Sequence, residues 1–320
     1  MDLLRHIRSS LFLLLLAVPM VYAQGNKTIH IIVPWPPGGA ADAIARTLVP
    51  KLEQGMGQPV VVENKAGAGG QLGTKLVKAA RPDGLTVMFT SDPPVVTAPV
   101  LYDNVGYDPM MDFTALGQVA RFKLGLSTAT KDVSSLRELM ELMRAHPGRA
   151  NYGTPAVGGL PSMIAMALKK QSGVAMTEVA YKGSPPLLTD LIGGQIVSGI
   201  TGLTEAIPMV QAGRIRMVAI TGTKRSSALP DVPTFEELGV PGLSYDLWFA
   251  FFGPRGLPTD FATRFNRALN EALMDPNVKQ KLAEFSVELA PTSLKEADDE
   301  LKKSAQYWNR ASKQPGFVRP

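Results

Sequence analysis

Residues 29–48 read IHIIVPWPPGGAADAIARTL, and this stretch decides the fold. It opens on a short apolar run, Ile29, Ile31, Ile32 and Val33, of the length of a buried strand. The run breaks on Pro34-Trp35-Pro36-Pro37-Gly38-Gly39. Three prolines fix φ and remove backbone donors, while two glycines admit conformations that a β-carbon would forbid. Ile44, Leu48 and Leu52 then recur at helical spacing, with Asp42 in the first turn. A strand, a stiff bend and a helix start gather unpaired N–H groups at the positive end of a helix dipole, a place that suits anions. A tight strand–helix turn with no ligand fits the same residues.

Working outward, the pattern repeats. Residues 59–64 read as a second strand, ending in Lys65-Ala66-Gly67-Ala68-Gly69-Gly70 before a helix with Leu72, Leu76 and Val77. A third strand over 85–90 stops at Ser91-Asp92-Pro93-Pro94. Strands that end in glycine, proline or small polar loops before helices mark an α/β chain with a mostly parallel sheet, whose ligands gather at the strands' carboxyl ends.

A second lobe is expected to begin near Arg121. It takes in a strand over 122–129, a helix over 134–144 with Leu136, Leu139, Met140 and Met143 inward, and, within 151–162, another strand breaking on a glycine loop. A helix at 163–171, a strand-like run at 174–181, the loop Lys182-Gly183-Ser184-Pro185-Pro186, a helix at 187–192 and a strand at 197–200 follow. Thr201-Gly202-Leu203 reads as a loop, and 215–221 as another strand. The aromatic run at 247–252 reads as the return to the first lobe, and the tail as helices at 260–274, 277–285 and 293–311. The expected division is a leader at 1–23, a first lobe of 24–121 plus 247–320, and a second lobe of 122–246.

The leader is legible by itself. Arg5, His6 and Arg8 form a basic start, 11–18 an apolar segment, and Val21-Tyr22-Ala23 a small-residue cleavage pattern. That segment is shorter than the roughly 20 residues a membrane span takes. The expectation is an exported, monomeric, periplasmic protein without lipid anchor. The chain of 320 residues has no cysteine, so disulfides and thiolate ligands are excluded. Its net charge of +5 is dispersed, without basic runs or interleaved aromatics, which argues against nucleic acid.

Catalysis has few candidates. Past the leader only His30 and His146 remain, one in a strand and one in a Pro-Gly helix stop. No G-x-S-x-G elbow or H-E-x-x-H pair occurs, so nucleophilic and metal chemistry lack support. The segment 67–73 lacks the third glycine of a dinucleotide loop, so no cofactor is expected. Asp42 fits a scaffold role, bonding first-turn amides, better than direct ligand contact. Trp35 suits a lid or a packed side chain, Asp92 a turn before Pro93, and Lys182 either an anion contact or a solvated surface.

The segments VPWPPGGAAD (33–42), VVENKAGAGG (61–70), RPDGLTVMFTS (81–91), LYDNVGYDPMMDF (101–113), NYGTPAVGG (151–159), VAYKGSPPLLTDLIGGQI (179–196) and LPDVPTFEELGVPG (229–242) resemble, in number and order, the Bug-type extracytoplasmic receptors of tripartite tricarboxylate transporters. The resemblance implies a type II periplasmic-binding fold of two lobes closing on a small organic carboxylate, with membrane transporter subunits or a sensor protein as partner. By position it implies ligand-binding roles for Trp35, Pro36, Pro37, Gly38, Gly39, Ala40 and Asp42, and for Gly67, Ala68, Gly69 and Gly70. Thr90 and Ser91 would line the first lobe. Gly153, Thr154, Gly158, Gly159, Ser162, Tyr181, Lys182, Gly183 and Thr201 would face them from the second. The chain departs from the family pattern at Asp92-Pro93-Pro94, where Asn-Thr-His is common, at Gly159 and Ser162, where Ser and His are common, and at Ser198, where an acid is common. These changes remove polar partners and point to a less polar or aromatic acid. A secreted α/β hydrolase is the alternative from another class, and the scarcity of histidine argues against it.

Overall fold

The computed structural model describes residues 27–155 and 159–313; the leader at 1–23 and Gly158 lie outside them. In chain order the strands are β1 (Ile29–Val33), β2 (Val60–Asn64), β3 (Thr86–Ser91) and β4 (Phe113–Phe122). Then come β5 (Leu124–Thr128), β6 (Asn151–Thr154), β7 (Thr177–Ala180), β8 (Ser198–Gly202) and β9 (Arg216–Ile220), followed by β10 (Leu247–Pro254) and β11 (Glu288–Leu289). They form a six-stranded sheet ordered β11-β4-β10-β3-β1-β2 and a five-stranded sheet ordered β7-β6-β8-β5-β9. The fold is α/β with two sheets.

Each sheet is mixed rather than mostly parallel. β1 pairs parallel with β2 and β3, while β10 runs antiparallel to β3 and β4. In the second sheet β6 runs parallel to β7 and β8, and β5 antiparallel to β8 and β9. The antiparallel members come from the two passages of chain between the sheets. β4 passes into β5 through Lys123, and the chain returns through Asp246 into β10. There Lys123 Nζ meets both carboxylate oxygens of Asp246 at 2.9 and 3.0 Å.

β10 is buried along its whole length, as a central strand with neighbours on both edges and both faces should be. Phe249 stacks on Phe122 at 4.5 Å, and Phe89 meets Phe251 at 4.7 Å. Each such ring contributes about 2–3 kcal/mol by leaving water. The last helix, Leu294–Ala311, is fixed at its start by a reciprocal capping box between Ser293 and Glu296. It buries Leu301 and Trp308, and Ser304 accepts from Trp248 Nε1 at 2.9 Å.

Several boundaries differ from the expectation. β4 was not foreseen, and the second sheet's first strand begins after it, at Leu124. Helix Gly159–Ser172 starts before Met163, and helix Ser184–Ile192 takes in Pro185 and Pro186, since proline is accepted in a first turn. Thr201 and Gly202 belong to β8, and Leu203 opens a helix, Leu203–Gln211, instead of a loop. Leu72 and Leu76 lie on the outer face of helix Gln71–Lys78, whose inward side chains are Thr74 and Val77.

Candidate functional site

The bend after β1 is held by a compact set of hydrogen bonds. Asp42 Oδ2 accepts from the Gly38 amide at 2.9 Å, and its Oδ1 accepts from Arg46 Nε and Asn64 Nδ2, each at 3.0 Å. Asn64, the last residue of β2, also donates to the Trp35 carbonyl at 3.1 Å. Burial pushes the Asp42 carboxyl up, but the bonds from Arg46, Gly38 and Asn64 outweigh it and hold the group below the usual carboxylate range. Asp42 is therefore engaged within the bend. Trp35 turns inward over β3, its Nε1 donating to Thr90 Oγ1 at 3.1 Å. Pro36, Pro37 and Gly38 stay exposed.

Helix Ala40–Met56 follows from Gly39, which has extended backbone and no side chain to cap the first turn. The first intrahelical bond runs from the Ala43 amide to the Gly39 carbonyl. The amides of Ala40, Ala41 and Asp42 are those that a helix start leaves over.

A second helix start lies beside it. Gly67, Ala68, Gly69 and Gly70 all have positive φ (148°, 47°, 61° and 90°), coiling the chain left-handed into helix Gln71–Lys78. The Gly70 amide closes this turn on the Gly67 carbonyl at 2.9 Å. No side chain caps either this turn or the helix after it. The approach to neighbouring loops is very close. A β-carbon on Gly70 would stand 2.4 Å from Pro94 Cγ, and one on Gly73 2.8 Å from Pro34 Cβ. Two helix starts and the end of β3, with Thr90 and Ser91 buried, thus converge on one point at the sheet's carboxyl edge.

Across from it, β6, β7 and β8 end at a common edge of the second sheet. Gly159, which opens helix Gly159–Ser172, comes within van der Waals reach of Thr97 in the stretch after β3; a β-carbon there would lie 3.3 Å from Thr97 Cγ2. Gly183, with φ +99°, caps the start of helix Ser184–Ile192 without a side chain. Lys182 is exposed. Thr154 and Thr201 are fully buried, and Thr201 Oγ1 has no hydrogen-bond partner among the described residues.

Other second-sheet residues serve their own sheet. Gly153 is filled in by Ile196, Leu187 and Tyr181, with no room for a β-carbon. Ser162 Oγ donates to Glu178 Oε2 at 2.9 Å, an oxygen that also accepts from Tyr152 at 2.6 Å. Tyr181 donates to Asp190 at 2.9 Å; burial and that carboxylate push its hydroxyl up to about 12.

Asp92 is more than a turn residue. It is fully buried, its Oδ2 accepts from Tyr245 at 2.7 Å, and its Oδ1 has no partner among the described residues. Burial pushes its carboxyl up to about 7 against the Tyr245 bond. Asn64 and Arg46, which clamp the first bend, were missed at the sequence level. Asn64 stood in the VVENKAGAGG segment, and a polar residue ending a strand was its only signal. No grouping of His, Asp or Glu able to hold a metal occurs among the described residues, and no helix among them is long and apolar enough to cross a membrane.

Comparison with known proteins agrees with this architecture. The model of the tripartite tricarboxylate transporter family receptor matches residues 44–312. Protein BugT of Bordetella pertussis is 34% identical over 259 residues, covering 80% of this chain and 79% of its own. Among solved structures, R. palustris Rpa4515 with adipate is 31% identical, with a TM-score of 0.82 over 91% of this chain and 97% of that one. MatC from Rhodopseudomonas palustris with bound malate is 25% identical, with a TM-score of 0.80 over 89% and 99%. The chain belongs to the tripartite tricarboxylate transporter family of solute-binding receptors, the Bug receptors.

Proposed function

We propose that this protein captures a small organic carboxylate between its two lobes in the periplasm and presents it to membrane subunits of a tripartite transporter. The observation that carries this is the meeting of two helix starts without side-chain caps, over 39–42 and 67–71, at one edge of the first sheet. Their amides and dipoles favour an anion without committing a cationic side chain. Adipate and malate, carried by the two relatives, are both carboxylates.

The ligand we favour has a single carboxylate and a less polar or aromatic body. Leu72 is 55% exposed, and a β-carbon on Gly67, at the second helix start, would lie 3.3 Å from its Cδ2. Trp35 lies beside the first, and Ser162 is spent on Glu178. Closure of the second lobe would shed water and strengthen the amide bonds, and the acid would stabilise the closed form by its differential affinity for it. The lobes bind and do not turn the acid over.

Calorimetric titration of the protein, freed of residues 1–23, with aliphatic, aromatic and hydroxylated acids tests the reading. Saturable binding of aliphatic or aromatic monocarboxylates is expected. Binding confined to citrate and glutamate would overturn the less polar ligand, and no binding of any acid would overturn the class.

A further inference from the structure

Glu205 stands apart from the other acids of the second sheet. It lies in the first turn of helix Leu203–Gln211, directly beyond β8. That strand ends at the same edge as β6, and a β-carbon on Gly159, which opens the helix after β6, would lie 3.3 Å from Thr97 Cγ2 of the first lobe, so this edge faces the first jaw. The Glu205 side chain folds back over the end of the strand. A β-carbon on Gly202 would stand 2.5 Å from its Oε2.

Among the described residues no cation meets this half-buried carboxyl, which takes a hydrogen bond from its own backbone amide, and desolvation drives its pKa up to about 7. Lys123, whose carbonyl receives the Leu203 amide, gives its ammonium to Asp246. Asp190, on the neighbouring helix Ser184–Ile192, is held by Tyr181. Two nearby hydroxyls in the sequence, Thr201 Oγ1 at the end of β8 and Thr204 Oγ1 in the helix's first turn, are buried and have no partner among the described residues; Thr201 itself is fully buried. Among the described residues the second jaw therefore presents the Glu205 carboxyl with two idle hydroxyls near it in sequence, opposite the uncapped helix starts of the first.

We propose that Glu205 selects the far end of the ligand: the acid held by the first lobe carries a hydroxyl or ammonium donor at its other end, and a second carboxylate there is rejected. This rests on the carboxylate reading above. A carboxylate brought against Glu205 would place two like charges where little water remains. A donor would satisfy Glu205, and a hydroxyl or ammonium hydrogen could also reach Thr201 or Thr204.

The test uses two series of equal length: pentanoate, 5-hydroxypentanoate, 5-aminopentanoate and glutarate; then benzoate, 4-hydroxybenzoate, 4-(aminomethyl)benzoate and terephthalate. Each is titrated at pH 8 into the wild type, Glu205→Gln and Thr201→Val, with thermal melts to verify folding. In the series that binds, the donor-bearing acid should bind the wild type at least about tenfold tighter than the diacid, the worth of one charge-assisted hydrogen bond. Glu205→Gln should cut that ratio by about fivefold or more, chiefly by admitting the diacid, while Thr201→Val weakens the hydroxy acid. A wild type that prefers the diacid, or a ranking that Glu205→Gln leaves unchanged, overturns the proposal while the carboxylate reading stands. Failure of all eight acids overturns both.

Discussion

The indole Nε1 of Trp35 donates to the hydroxyl of Thr90 across 3.1 Å, tying the bend after the first strand to the end of the third. Trp35 is thus a strut between two parts of the first sheet's carboxyl edge, and Thr90 passes the restraint on by donating to the Ser91 carbonyl at 3.0 Å. Trp35→Phe keeps the ring and removes the donor. The loss of one neutral hydrogen bond, about 1 kcal/mol, should weaken acid binding about fivefold with little change in fold, as calorimetry and a thermal melt would reveal.

Asp42 should matter more for the shape of the bend than for contact with the ligand. Asp42→Ala leaves the Gly38 amide without its acceptor and Asn64 Nδ2 with the Trp35 carbonyl alone, and should cost about 2–3 kcal/mol of stability. Because its pKa is lowered in the fold, its contribution is present above its ordinary value of 3.8 and disappears as pH falls through the lower folded value. Denaturant titrations between pH 3 and 7 should find the wild type losing its advantage over Asp42→Ala only at the acid end.

The buried acid Asp92 should act with the opposite sign. Its carboxyl takes up a proton at about 7 in the fold and near 3.8 in the unfolded chain. Between those values the folded state holds more protons, so stability falls as pH rises through that window. Asp92→Asn keeps an acceptor for Tyr245 and removes the charge. Its melting temperature at pH 8 should exceed that of the wild type by roughly 3–6 °C, and its decline from pH 5 to 8 should be shallower. An equal slope in the two proteins would refute this.

Two glycines of the second helix start separate crowding from backbone strain. Gly69 has φ +61° and open space where a β-carbon would go, whereas Gly70 has φ +90° and Pro94 in the way. Gly69→Ala should cost about 1 kcal/mol, the strain of left-handed backbone alone. Gly70→Ala should cost about 3 kcal/mol or more and abolish acid binding, since Pro94 or the loop must move. Paired unfolding and titration measurements on both variants would decide this.

The parts of the fold that could be read from residues are those where pattern and packing agree. The aromatic run of β10 marks a strand buried on both faces, and Leu136, Leu139, Met140 and Met143 all turn inward as their spacing implies. β4 escaped because FTALGQVARF has no alternation and carries Gly117 at φ +150°, a position needed so that Leu269 and Asn266 can press against the strand. Helix Leu203–Gln211 escaped because it starts straight from a glycine and contains Pro208. At the site, the proline and glycine bends announced themselves, since backbone conformation is written in residue type. Glu205 did not, because a carboxyl lacking a cation is a property of three-dimensional surroundings.

The first sheet is stitched from both ends of the chain, with β10 filling the gap between β3 and β4. Until residues 247–254 exist, two long strands face each other across an empty slot and cannot pair. A ribosome or export channel must therefore release nearly the entire polypeptide before the jaw with the two helix starts can assemble. The five-stranded sheet, by contrast, is contiguous from Leu124 to Ile220, so all its strands can pair as soon as that stretch has emerged.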